Sequence, residues 1–157
     1  MSQSTLLLRM ELRSNPTMLS IVRGALTRLT EKLGFSETEC QAIVRAVDEA
    51  LTNIMRHAYH GQTDRPIEAS FRSIRLRRDG VRKTALEILL EDRGRSVDNA
   101  KLHGRALHDV RPGGLGLHFI RQSVDSVEFR RSNGKNRLRL VKFLHAAKLP
   151  RVAEENR

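Results

Sequence analysis

Along Thr5–Arg13, Leu8, Met10 and Leu12 alternate with Arg9, Glu11 and Arg13, and this period of two predicts a strand. Ser14-Asn15-Pro16 then reads as a helix start, with proline near the first helical position. Leu19, Val22, Leu26 and Leu29 form a helical stripe running towards Leu33, and Gly34 suits the C-terminal cap. Ser36–Glu39 carries the serine and glutamate of a capping box. The helix it opens has Cys40, Ile43, Val44, Val47, Leu51, Ile54, Met55 and Ala58 spaced by three and four. Ile67–Arg78 and Val81–Asp92 predict two strands around the hairpin turn Asp79-Gly80. Phe71 is odd-numbered whereas Ile74 and Leu76 are even, which predicts a bulge near Ser73. Asn99–Pro112 lacks a clear period and reads as a loop with a short helical piece. Leu117–Ser123 predicts a helix and Val124–Ser132 a strand; Asn133-Gly134 is a hairpin turn before a last strand, Asn136–His145.

This order predicts an α+β two-layer sandwich, with helices on one face of a mainly antiparallel mixed sheet. Residues 1–148 form one expected domain and 149–157 a flexible tail. The second sheet face should be solvated, and Arg75, Arg77, Arg137 and Arg139 alternate along their strands as such a face requires.

Composition narrows the picture. A chain of 157 residues suffices for one core, and with 4% aromatics that core must rest on Leu, Ile, Val and Ala. The single cysteine, Cys40, excludes an internal disulfide and a multi-cysteine zinc site, which fits a reducing cytoplasm. Leu6–Leu8 is too short for a signal segment, and nothing approaches a membrane span. The net charge of +11 favours acidic partners. Without zinc-finger spacing or an RNA-stacking motif, however, charge alone leaves nucleic acid an unlikely partner.

Candidate chemistry begins on the second helix. Glu49, Asn53 and His57 are four apart and fall within roughly 80° of arc, away from the apolar stripe. That face is either solvated surface or a site in which Glu49 is a general base and Asn53 a Mg²⁺ ligand. His57 could reach a phosphate or serve the helix end. Asp92-Arg93-Gly94, at a strand end, is either an ordinary turn or a place where Asp accepts from an adenine amino group. Gly113-Gly114-Leu115-Gly116 precedes a helix, where free N–H groups can meet phosphate. It matches neither a Walker A loop nor a GxGxxG fingerprint.

Taken together, in this order and on these elements, the motifs resemble the GHKL ATPases. The N-box corresponds to Glu49–Asn53 with His57-Ala58-Tyr59, the first Gly box to Asp92-Arg93-Gly94 continuing to Asp98, and the second to Gly113–Leu117. Within that superfamily the chain resembles the small anti-sigma factor serine/threonine kinases over about Leu6 to Leu144. The resemblance implies a Bergerat-type ATP-binding fold, with ATP and Mg²⁺ bound beneath a lid at Asn99–Pro112. It implies Glu49 as the catalytic base, Asn53 on Mg²⁺ and Asp92 on adenine. ATP would be further bound by His57, Gly94, Asp98, Gly113, Gly114, Leu115, Gly116 and Leu117. It also implies a sigma factor and a small anti-sigma-factor antagonist as partners, and a homodimer. Two features depart from the group: the strongly basic balance, and Arg93 and Arg95 flanking Gly94. The alternative they raise is a nucleotide-binding module that acts by association without catalysis.

Overall fold

The structure is a computed structural model, and residues 3–96 and 114–145 are described, without the side chains of 114 and 115. Strand β1 (Ser4–Arg13) leads through a 3₁₀ turn to α1 (Leu19–Leu33) and α2 (Glu37–Asn53). The hairpin β2 (Pro66–Arg78) and β3 (Val81–Asp92) follows, then α3 (Gly114–Ser123) and the hairpin β4 (Ser126–Ser132) and β5 (Lys135–Phe143). The strands lie in the order β1-β2-β3-β5-β4 and every ladder is antiparallel. Both hairpins turn as their residue pairs demand: Asp79 and Gly80 have φ of 52° and 76°, Asn133 and Gly134 of 51° and 73°.

The three described α-helices cover one sheet face. Phe71, Ile88, Leu90 and Leu140 from the sheet are buried with Ile43, Val47 and Leu51 of α2, Leu26 of α1 and Ile120 of α3. Each such side chain contributes about 1.5–3 kcal/mol by leaving water. Cys40 belongs to this core. Both halves of the capping box form, Glu39 N–H to Ser36 Oγ and Ser36 N–H to Glu39 Oε2, so α2 has a fixed start. None of the described helices is long and apolar enough to cross a membrane.

Two local expectations are corrected. The sheet irregularity lies in β1, where the register shifts between Leu6 and Leu8; the β2–β3 ladder runs unbroken through Ser73. Ile74 and Leu76 change parity because they face the other side of the sheet, where they join Ala85, Val141 and Phe143 in a small second cluster. The arginines thought to share one face are also divided. Arg137 and Arg139 occupy the open face, since Leu138 and Leu140 take the helix side. Arg75 and Arg77 are in phase with Phe71 and lie on the helix side. The open face is internally paired: Arg139 with Glu87 at 2.6 Å and Glu128 at 3.5 Å, and Glu91 with Lys135 at 2.8 Å and Arg137 at 3.2 Å.

Candidate nucleotide site

Helix α2 carries two parts of the site. Glu49 and Asn53 are half-buried on its face towards α3. Helix α3 starts at Gly114, so Gly114–Leu117 form its first turn instead of a loop ahead of it. A Cβ added at Gly116 would lie 2.6 Å from Glu49 Oε2 and 3.8 Å from Asn53 Nδ2. Only a glycine lets the helices approach this closely with Glu49 in this position. The free N–H groups of a helix start therefore adjoin a carboxylate and a carboxamide. Neither Glu49 nor Asn53 takes part in a side-chain hydrogen bond among the described residues, so both polar groups remain available to a ligand. No cluster of three or more His, Cys, Asp or Glu able to hold a metal occurs among them. A hard cation here would take Asn53 Oδ1 and complete its shell with water and phosphate oxygens, as Mg²⁺ commonly does.

The far end of α2 positions the first glycine segment. After Asn53 the helix widens into a π turn over Ile54–Ala58, closed by Tyr59 N–H donating to Ile54 O at 3.0 Å. Ala58 O receives Arg95 N–H at 2.9 Å. A Cβ at Gly94 would meet that same carbonyl oxygen at 2.4 Å, so the bare face of Gly94 is filled by Ala58. Tyr59 Oη accepts from Arg93 N–H at 2.8 Å and donates to Pro66 O at 2.6 Å. Burial, together with the charge of Asp92, pushes the Tyr59 phenol above its ordinary value and keeps it a donor.

Asp92 is 6% exposed at the end of β3. Its Oδ1 accepts from Gly94 N–H and from Asn136 Nδ2, both at 2.8 Å. Oδ2 takes no hydrogen bond from any described residue. Burial raises the Asp92 carboxyl above its ordinary value of 3.8, against the lowering by Asn136, Gly94 and nearby Arg131. Asn136, buried on β5, also donates to Arg95 O at 3.0 Å, while its Oδ1 accepts from Arg131 at 2.6 Å. Arg131 reaches Gly94 O at 3.1 Å. The Gly134-Lys135-Asn136 turn is among the features that resemble the kinase group, but sequence reasoning assigned no site role to Asn136 or Arg131.

The remaining expected residues divide. Leu117 is buried, so only its backbone can face a ligand. His57 is exposed and makes no described contact with Glu49, Asn53 or the glycines. Arg93 and Arg95 have exposed side chains. Asp98, Gly113 and the lid Asn99–Pro112 lie outside the described residues, as do the tail and its boundary near 148.

A cleft of about 410 Å³ borders Glu49 on the α2–α3 side, lined by Arg45, Asp48, Gly116, His118, Phe119 and Gln122. The Arg45 guanidinium lies 4.6 Å from the centre of the Phe119 ring, a cation–π contact that forms one wall.

Residues 12–142 match the family of histidine kinase-like ATPase domains. The serine-protein kinase RsbW of Bacillus pumilus is 27% identical over 153 residues, covering 92% of this chain and 90% of the relative. The protein of that name from Bacillus licheniformis is 30% identical over 146 residues, covering 88% and 86%. Among solved structures, the RsbU and RsbW domains of Rv1364c from Mycobacterium tuberculosis align with a TM-score of 0.55 at 18% identity. That alignment covers 87% of this chain and 33% of the other, and it shows a shared fold.

Proposed function

Because the chain belongs to the histidine kinase-like ATPase family, alongside the RsbW-like serine-protein kinases, we propose that it is an ATP-dependent serine/threonine kinase that doubles as an anti-sigma factor. Its substrate is a small anti-sigma-factor antagonist, which in its unphosphorylated form displaces the sigma factor. The observation that carries this reading is that a Cβ on Gly116, in the first turn of α3, would lie 2.6 Å from Glu49 and 3.8 Å from Asn53. In this reading a base, a cation ligand and phosphate-binding backbone groups are close together.

In this reading the unoccupied Oδ2 of Asp92 accepts from the adenine amino group, while Oδ1 is held by Gly94 and Asn136. Asn53 Oδ1 holds Mg²⁺, whose chemistry when bound is to neutralise charge on the β- and γ-phosphates. Glu49 removes the hydroxyl proton of a serine or threonine as that oxygen bonds to the γ-phosphorus and the bond to ADP breaks. Little covalent work falls to the protein, because phosphoryl transfer depends mainly on positioning and charge.

The test is incubation with labelled ATP, Mg²⁺ and candidate antagonist proteins. Label should pass to the antagonist, and Glu49→Gln should abolish transfer while ATP binding persists by calorimetry. Transfer undiminished in Glu49→Gln would remove Glu49 as the base. The exposed arginines beside Asp92 favour a second reading, a nucleotide-dependent binding module. That version predicts ATP binding and partner association with no transfer at all.

A further inference from the structure

The β2–β3 hairpin outruns its neighbours. Ladder β1–β2 ends at Ser4 opposite Ile74, and ladder β3–β5 ends at Ala85 opposite Phe143. One further rung is still bonded on both edges, Arg75 N–H to Gln3 O at 3.2 Å and Leu144 N–H to Thr84 O at 2.9 Å. The rungs Leu76–Lys83, Arg77–Arg82 and Arg78–Val81 therefore project as a two-stranded ribbon with no further ladder partner among the described residues. Three rungs extend about 10 Å. Its two faces differ. On the open-face side, Leu76 packs against the Ile74 cluster, and Arg78 bonds Asp125 at 3.1 Å and stacks 4.8 Å from the Phe143 ring. These contacts root the ribbon in the sheet.

The helix-side face carries Arg75, Arg77 and Arg82, all exposed. Arg77 stands directly opposite Arg82, a like-charge pair that disfavours the ladder unless an anion lies between them. Among the described residues none of the three forms an ion pair. On the open face, by contrast, Arg137 and Arg139 are neutralised by glutamates. An uncompensated part of the +11 charge is thus concentrated on one side of this ribbon.

From this we infer that the ribbon is a docking surface for the phosphate backbone of duplex nucleic acid, bound without regard to sequence. A two-stranded ribbon fits a major groove about 12 Å wide. Guanidinium groups suit phosphate oxygens, which they grip in pairs. No large apolar or aromatic side chain shares the arginine face to anchor a protein partner or stack single-stranded bases. Asp92 lies ten residues beyond Arg82 on the same strand, so the surface is remote from the nucleotide site and independent of its activity.

The experiment is fluorescence anisotropy of the full chain with a labelled 20-bp duplex across a salt series. Wild type should bind in the range of about 1–100 µM near physiological salt, with log affinity falling linearly in log salt. The triple variant Arg75→Gln/Arg77→Gln/Arg82→Gln, folded by circular dichroism, should bind at least tenfold more weakly. Its salt slope should be shallower by about 2.7, corresponding to three lost phosphate contacts. Excess ATP should leave binding unchanged. No duplex binding at low salt, equal binding by the variant, or full competition by ATP would overturn the inference. So would tighter binding to a poly-glutamate of matched charge, which would assign the ribbon to an acidic protein.

Discussion

Gly116 and Glu49 occupy adjoining space so closely that a methyl group on the first would lie 2.6 Å from a carboxylate oxygen of the second. Gly94 has a contact of similar tightness, but its obstacle is the Ala58 carbonyl at 2.4 Å. The two glycines should respond differently to alanine. In Gly116→Ala the carboxylate can swing aside, and alanine favours a helix over glycine by up to about 1 kcal/mol. Thermal stability should hold while phosphoryl transfer drops at least a hundredfold. In Gly94→Ala the obstacle is backbone, and overpacking of this kind costs about 1–3 kcal/mol. Its melting temperature should fall, together with ATP affinity. Paired melting curves and calorimetry check both outcomes.

Asp92→Asn separates binding from stability. The asparagine oxygen can still accept from Gly94 and Asn136, but an NH₂ replaces the free oxygen. Adenine's amino group would then face a donor. ATP affinity should fall about 10–100-fold, in line with about 1.5–3 kcal/mol for a hydrogen bond to a charged group. Stability should move the other way. Burial raises the Asp92 pKa, so the folded state holds its proton more tightly than the unfolded one. The ionised group therefore weighs against the fold above its folded pKa, and that penalty disappears on acidification. Asp92→Asn should be more stable than wild type at neutral pH, with the gap closing as pH falls through that pKa. Urea titrations at several pH values measure it; a gap that widens on acidification would contradict the assignment.

Glu91, the preceding residue on β3, should act in the opposite sense. Burial alone would raise its pKa, but the Lys135 hydrogen bond and the charge of Arg137 outweigh burial and lower it. Its contribution is present above the ordinary carboxylate range and is lost as pH falls through its depressed value. Glu91→Gln should thus be less stable than wild type at neutral pH and converge with it in acid.

Tyr59→Phe removes the hydroxyl that joins Arg93 N–H to Pro66 O. Two backbone groups in a half-buried setting lose their partner, at a cost of about 1–3 kcal/mol. The Arg93 amide should exchange with deuterium faster, and ATP affinity should decline with Glu49 untouched. Unchanged exchange at Arg93 would show that the segment is held without the tyrosine.

Much of this architecture is readable in local chemistry. The capping box at Ser36 and the Asp79-Gly80 and Asn133-Gly134 turns are set by residues within a few positions of each other, and all three form as expected. The proximity of Glu49, Asn53 and the second glycine segment was expected from motif order and resemblance, not from periodicity. What stayed hidden depends on distant partners. Helix α2 runs on into a π turn whose Ala58 carbonyl bonds Arg95, on a segment beyond two strands. Asn136 matters because antiparallel pairing sets it opposite Asp92, a relation no nearby residue announces. Ile74 and Leu76 suggested a bulge because an alternating pattern cannot distinguish a slip in register from an apolar patch on the second face.

The attachment of the first glycine segment to the end of α2 also fixes a length. Glu49 meets Gly116 at one place on the rod, and Tyr59 with Ala58 grips Arg93, Gly94 and Arg95 further along. Glu49 to Asn53 rise about 6 Å as α-helix, and the π turn Ile54–Ala58 carries the chain on to Tyr59. Helix α2 and its π turn therefore serve as a ruler between the two ends of the proposed site. The length is set by hydrogen bonds along this continuous helical run, so the separation survives shifts of loops or strands elsewhere. A ligand with its two recognised ends closer together or further apart would fail to engage both.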